Sequence, residues 1–91
     1  MIETQKPQLP IGVRLGYDDV RQQWTLFAPE RVFVLDDIAA EVLKHCDGQK
    51  TLGDIARLLS EQFKAPEADI LPDIVEMLKD LEQKRVLEFA A

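Results

Sequence analysis

Apolar and polar residues alternate along the first third of the chain. In "GVRLGYDD" (12–19), Val13, Leu15 and Tyr17 fall on one side and Arg14 and Gly16 on the other, which is the period of a strand. Asp18 and Asp19 supply turn chemistry, and "QQWTLF" (22–27) alternates again, with Trp24 and Leu26 opposite Thr25 and Phe27. Pro29 breaks the run before "RVFVL" (31–35), where four consecutive apolar residues point alternately to two faces. A strand of that kind asks for cover on both sides. Three short strands with short links predict an antiparallel meander, two members of which are edges.

From Asp36 the period changes to that of a helix. Asp36 is placed to N-cap a segment carrying Ile38, Ala39, Val42, Leu43 and Cys46 on one side, and Gly48 suits the left-handed residue that closes it. Thr51 and Asp54 have capping-box spacing ahead of the stripe Leu52, Ile55, Ala56, Leu59 and Phe63. A third helix is predicted over about 70–84, with Asp69 as N-cap so that Pro72 falls in the first turn. Its apolar residues fall on two flanks. Ile70, Ile74, Met77 and Leu81 form one, and Leu71, Val75 and Leu78 the other, an arc about 160° wide against the ~100° needed to face a core. Pattern alone leaves open whether one flank is exposed or the other two helices cover both. "VLEF" (86–89) reads as a short strand or an extended tail, and residues 1–10, polar with two prolines, as a flexible tail ahead of one domain at 11–91. The fold class is α+β: a winged-helix-like domain with a three-stranded antiparallel sheet followed by three helices.

At 91 residues and 46% hydrophobic composition, the chain supports one small core. No apolar run reaches the ~18–20 residues of a membrane span, and "MIETQKPQLP" lacks the apolar centre of a signal peptide. A single cysteine allows no internal disulfide, and the reading is cytoplasmic. Catalytic chemistry finds no candidate. His45 and Cys46 are adjacent on a helix and point about 100° apart, a poor geometry for sharing a proton. The pairs Asp18–Asp19 and Asp36–Asp37 occupy turn and cap positions without a third ligand, and there is no glycine loop for phosphate. Neither metal nor cofactor is expected.

The charge decides between the remaining functions. Four basic and four acidic groups cancel in residues 1–35, so the net −6 lies wholly in residues 36–91. Helix two, the turn and helix three have the order of a helix-turn-helix, and such modules often read DNA with their second helix. Here that helix carries Asp69, Asp73, Glu76, Asp80 and Glu82 against Lys79, Lys84 and Arg85, and phosphate repels it. A DNA-binding regulator is therefore the weaker alternative. Protein recognition remains. An edge strand accepts an extended peptide as an added strand, with side-chain pockets for specificity. Strand 31–35 is a candidate for that edge, and one flank of helix three for its apolar wall. A second copy of the chain pairing at the same edge, as a homodimer, is the structural rival.

The order of elements resembles the PqqD family of pyrroloquinoline quinone (PQQ) biosynthesis over roughly residues 12–89. The resemblance is carried by Arg14-Leu15 with Tyr17-Asp18, "PER" at 29–31, Leu35, Ala39, "VL" at 42–43, "CDG" at 46–48, "T…IA" at 51–56, Asp73 and Leu78. It implies a peptide chaperone rather than an enzyme. Such a protein binds the ribosomal precursor peptide PqqA and presents it to the radical S-adenosylmethionine enzyme PqqE. The family is also the prototype of the recognition elements of other modified-peptide pathways, in which the peptide pairs antiparallel to the third strand and packs on the third helix. By position, that surface is Arg31, Val32, Phe33, Val34 and Leu35, with Ile70, Leu71, Ile74, Val75 and Leu78. One departure is Arg85, which stands where members commonly carry a glycine suited to a left-handed helix end.

Overall fold

The computed structural model describes residues 3–90. A short β1 (Pro7–Gln8) precedes the meander β2 (Arg14–Asp18), β3 (Gln23–Ala28) and β4 (Arg31–Leu35). Helices α1 (Asp37–Lys44), α2 (Leu52–Phe63) and α3 (Glu67–Gln83) follow, and β5 (Glu88–Phe89) ends the fold. The meander is a three-stranded antiparallel sheet in the order β2-β3-β4. Its register sets Leu15, Leu26 and Phe33 side by side, and likewise Gly16, Thr25 and Val34. Leu26 is fully buried at the centre of the inner face. On the outer face the Phe27 ring lies where a Gly16 side chain would be, 3.0 Å from the Cβ position, with the Arg14 guanidinium 4.4 Å from its centroid. The β3–β4 turn is Pro29-Glu30, with Glu30 in the left-handed region at φ +61.

The helix starts follow from local chemistry. Asp36 caps α1 by accepting from the Ala39 N–H at 2.7 Å. Thr51 and Asp54 close a reciprocal box at 3.1 Å in each direction, so aspartate serves as well as glutamate here. The Thr51 backbone bond and the Thr51 and Arg57 side chains hold the Asp54 carboxyl below the usual range. Helix α3 departs from expectation. It begins at Glu67 with Pro66 as N-cap, not at Asp69, because Pro66 already holds φ at −63 and its carbonyl accepts from Asp69 and Ile70. Pro72 therefore lies inside the helix, on its exposed side.

Two further expectations change. Gly48 is left-handed at φ +77, but it does not close α1, which ends at His45. Its N–H donates to the Pro7 carbonyl at 2.9 Å, and an added Cβ would stand 2.5 Å from the Gln8 side-chain oxygen. Gly48 is where the N-terminal segment crosses the fold. That segment is not a loose tail over its described residues. Pro7 pairs with Phe89 and Gln8 with Glu88, the Leu52 and Gly53 amides donate to Gln5 and Glu3, and Ala90 donates to Lys6. Residues 86–89 are thus core and strand: Val86 and Leu87 are buried, and β5 pairs with β1 outside the three-stranded sheet.

The core joins Leu26 to Val42 and Leu43 of α1, Ile55 and Leu59 of α2, and Ile74, Leu78 and Leu81 of α3. Counted at 100° per residue from Ile70, the three buried residues of α3 occupy about 20–80° of its circumference. Ile70 and Met77 on one side, and Leu71 and Val75 on the other, stay half-buried. The core takes the middle of the wide apolar arc and leaves both margins partly open.

Candidate functional site

Strand β4 is an edge: β3 is its one neighbour among the described residues. Phe33 and Leu35 turn inward and pack half-buried against the core. Val32 and Val34 point outward, each 59% exposed. So the inner side of "VFVL" packs against the core, and the outer side stays largely exposed among the described residues. The strand is tied at its start. Arg31 Nη2 donates to the Lys84 carbonyl at 2.7 Å, and its guanidinium lies 5.5 Å from the Phe33 ring centroid. Lys84 Nζ approaches the other way, 5.8 Å from the same ring, while pairing with Asp80 at 2.8 Å. The end of α3 is therefore anchored to the beginning of β4.

The helical positions expected beside β4 separate in the structure. Ile74 (3% exposed) and Leu78 (0%) are core residues that support the surface from beneath. Ile70 is half-buried and lines an apolar cleft with Ile74 and Met77. Leu71 instead borders a shallow hollow with Glu3, Gly53 and Ala56, on the side of the N-terminal segment. Val75 is half-buried. Ile38 and Phe63, placed by pattern on the core stripes of α1 and α2, are 63% and 44% exposed and form the mouth of the Ile70 cleft. Each stands at the outermost turn of its stripe, and that position was the signal available in the sequence.

The remaining chemistry is structural. Cys46 is buried and its thiol donates to the Val42 carbonyl at 3.4 Å; burial, and then the Asp47 charge, pushes its pKa up to about 12. It carries no thiolate nucleophile. Asp47 accepts from Lys50 Nζ at 2.9 Å and from the Gln49 and Lys50 amides, contacts that hold its carboxyl well below the usual range. Asp18 accepts from the Val20 and Arg21 amides in the β2–β3 turn. Among the described residues no three His, Cys, Asp or Glu side chains gather as metal ligands, and no helix is long and apolar enough to cross a membrane.

Against known proteins, residues 23–87 match the family model of coenzyme PQQ synthesis protein D (PqqD). The chain belongs to the PqqD family. A Bradyrhizobium diazoefficiens protein named PqqA binding protein is 42% identical over 85 residues, covering 93% of this chain and 82% of that one. The bifunctional coenzyme PQQ synthesis protein C/D of Methylorubrum extorquens is 52% identical over 82 residues, 90% of this chain and 22% of that protein. Two solved PqqD structures share the fold. The solution structure of the PqqD part of Methylobacterium extorquens PqqCD has a TM-score of 0.80 at 52% identity, over 90% of this chain and 87% of that one. It is described as a functional, stand-alone recognition element for ribosomally synthesised, post-translationally modified peptides. The crystal structure of Xanthomonas campestris PqqD has a TM-score of 0.62 at 46% identity, over 88% of this chain and 89% of that one. The winged-helix-like arrangement of sheet and three helices is thus the PqqD fold.

Proposed function

We propose that this PqqD-family chain binds a PqqA-like precursor peptide by strand addition at β4 and presents it to a PqqE-like radical S-adenosylmethionine enzyme, with no catalysis or cofactor of its own. The observation that carries the reading is the unpaired edge of β4 in a family whose relatives are named for PqqA binding. Main-chain groups of Arg31, Val32, Phe33, Val34 and Leu35 supply affinity, because an added strand satisfies N–H and C=O groups that otherwise face water. The half-exposed Ile70, Leu71 and Val75 contribute apolar contact, with Ile74 and Leu78 fixing the helix that carries them. Holding the precursor extended on a small carrier raises its effective concentration at the enzyme that modifies it.

An amide NMR titration of the labelled domain with the precursor peptide tests this. Shifts concentrated at residues 31–35 and along α3 are expected. No shifts at high peptide concentration would remove the reading and leave self-association as the use of the exposed strand.

A further inference from the structure

Past the end of β4, the first turn of α1 carries Ile38 into the mouth of an apolar cleft of about 250 Å³ between the three helices. Buried Ile74 lines it together with half-buried Ile70 and Met77 and exposed Phe63. One charged side chain, Asp73, stands among the lining residues. We propose that this cleft is a second docking point for the precursor, taking an apolar side chain with a basic residue beside it, from the part of the peptide that runs beyond Leu35. The proposal rests on strand addition at β4.

Continuity and charge carry it. Every strand pair in the sheet is antiparallel, so a strand added in the same sense has its N-terminal side at the Leu35 end. The chain beyond that point reaches the α1 start, where Asp36 already caps the free amide and Asp37 fills the first turn. An acidic peptide gains nothing there. On α3, Asp69, Asp73, Glu76 and Asp80 recur at intervals of four, three and four residues and so share one side, next to the Ile70–Met77 margin. Of these, Asp80 is paired with Lys84, while Asp69, Asp73 and Glu76 make no ion pair among the described residues. Lys64 beside Phe63 and Lys79 on α3 are the basic groups nearest in sequence, and they are outnumbered. An apolar anchor flanked by a cation fits this arrangement, with the apolar part giving affinity and the charge giving selectivity.

The test measures precursor affinity by isothermal titration for wild type, Ile38→Asp, Asp73→Asn and Val34→Lys. Each variant's fold is checked by thermal melt. A second peptide has the basic residues on its N-terminal side replaced by glutamine. Ile38→Asp is expected to weaken wild-type peptide binding about tenfold, the size of losing one buried aliphatic contact. Asp73→Asn should cost about two- to fivefold at low salt, less at high salt, and nothing more with the neutral peptide. If Val34→Lys weakens binding while Ile38→Asp and Asp73→Asn stay within twofold of wild type, the cleft proposal is wrong and strand addition stands. If wild type does not bind the precursor, both fail. If Ile38→Asp unfolds the chain, the Asp73→Asn comparison between the two peptides decides alone.

Discussion

The backbone N–H of Val86 donates to the carbonyl of Leu81 at 3.1 Å, and Arg85 between them sits in the left-handed region at φ +63. With the Arg85 N–H donating to Glu82 at 2.9 Å, this is a complete Schellman closure. Leu81 and Val86 are both buried, so the apolar contact that usually accompanies the motif is present. The closure forms although its left-handed residue is arginine, because burying Val86 and Leu87 outweighs the cost of a side chain at that φ.

Arg85→Gly should therefore stabilise the domain by about 0.5–1 kcal/mol, the left-handed strain of ~1–2 kcal/mol less the added freedom of glycine in the unfolded chain. A melting temperature higher by roughly 2–8 °C is expected by calorimetry. An unchanged or lower value would mean that the arginine side chain contributes contacts outweighing the strain.

Gly48→Ala should act in the opposite direction. The left-handed backbone and the approach of Gln8 both oppose a Cβ, and Gln8 can retreat only by loosening its 2.7 Å bond to Glu88. A loss of about 1–2 kcal/mol is expected in urea titration, with faster amide exchange at Gln8 and at Ala90, whose N–H donates to Lys6. Normal exchange there would show that the pairing of β1 with β5 does not depend on this crossing.

Two apolar positions of the candidate site should separate stability from recognition. Leu78 is fully buried, and Leu78→Ala should cost about 2–5 kcal/mol whether or not peptide is present. Val34, 59% exposed, should tolerate Val34→Lys within about 0.5–1 kcal/mol, while peptide affinity falls. Denaturant midpoints beside binding curves read both. Severe unfolding of Val34→Lys would place that residue in the core after all.

Acid should weaken the domain partly through Asp54. Its folded pKa is depressed, first by the hydrogen bonds with Thr51 and then by Arg57. The stabilisation is thus fully present above the unfolded value, about 3.9, and is lost as pH falls through the folded value. Asp54→Asn should be less stable than wild type at pH 7, with the gap closing below about pH 4. A gap independent of pH would show that the carboxylate charge contributes nothing.

What the sequence disclosed was whatever short-range chemistry determines. Alternation marked β2, β3 and β4, the helical stripes marked all three helices, and Asp36 and the Thr51–Asp54 pair announced their caps. Long-range pairing stayed hidden. Pro7 and Gln8 are too few to show a period, and their partners Phe89 and Glu88 lie at the far end of the chain. The start of α3 was missed because its cap is a proline without a side-chain acceptor. The wide apolar arc could not be divided by pattern, since both flanks are equally apolar. Packing divided it, burying Ile74, Leu78 and Leu81 and leaving the margins at the surface. The candidate edge was legible as a strand apolar on both faces, whereas the Ile38–Phe63 cleft needed three helices in place.

The strap of β1 against β5 brings residues 6–8 beside 88–90. A pull applied downstream of β5 would fall first on this two-stranded ladder, and one applied ahead of Glu3 on the bonds to Leu52 and Gly53. The hydrogen bonds of that ladder run to the Gly48 turn and the start of α2, not to β4. Force entering by either route is thus taken up away from the edge on which a partner strand would lie.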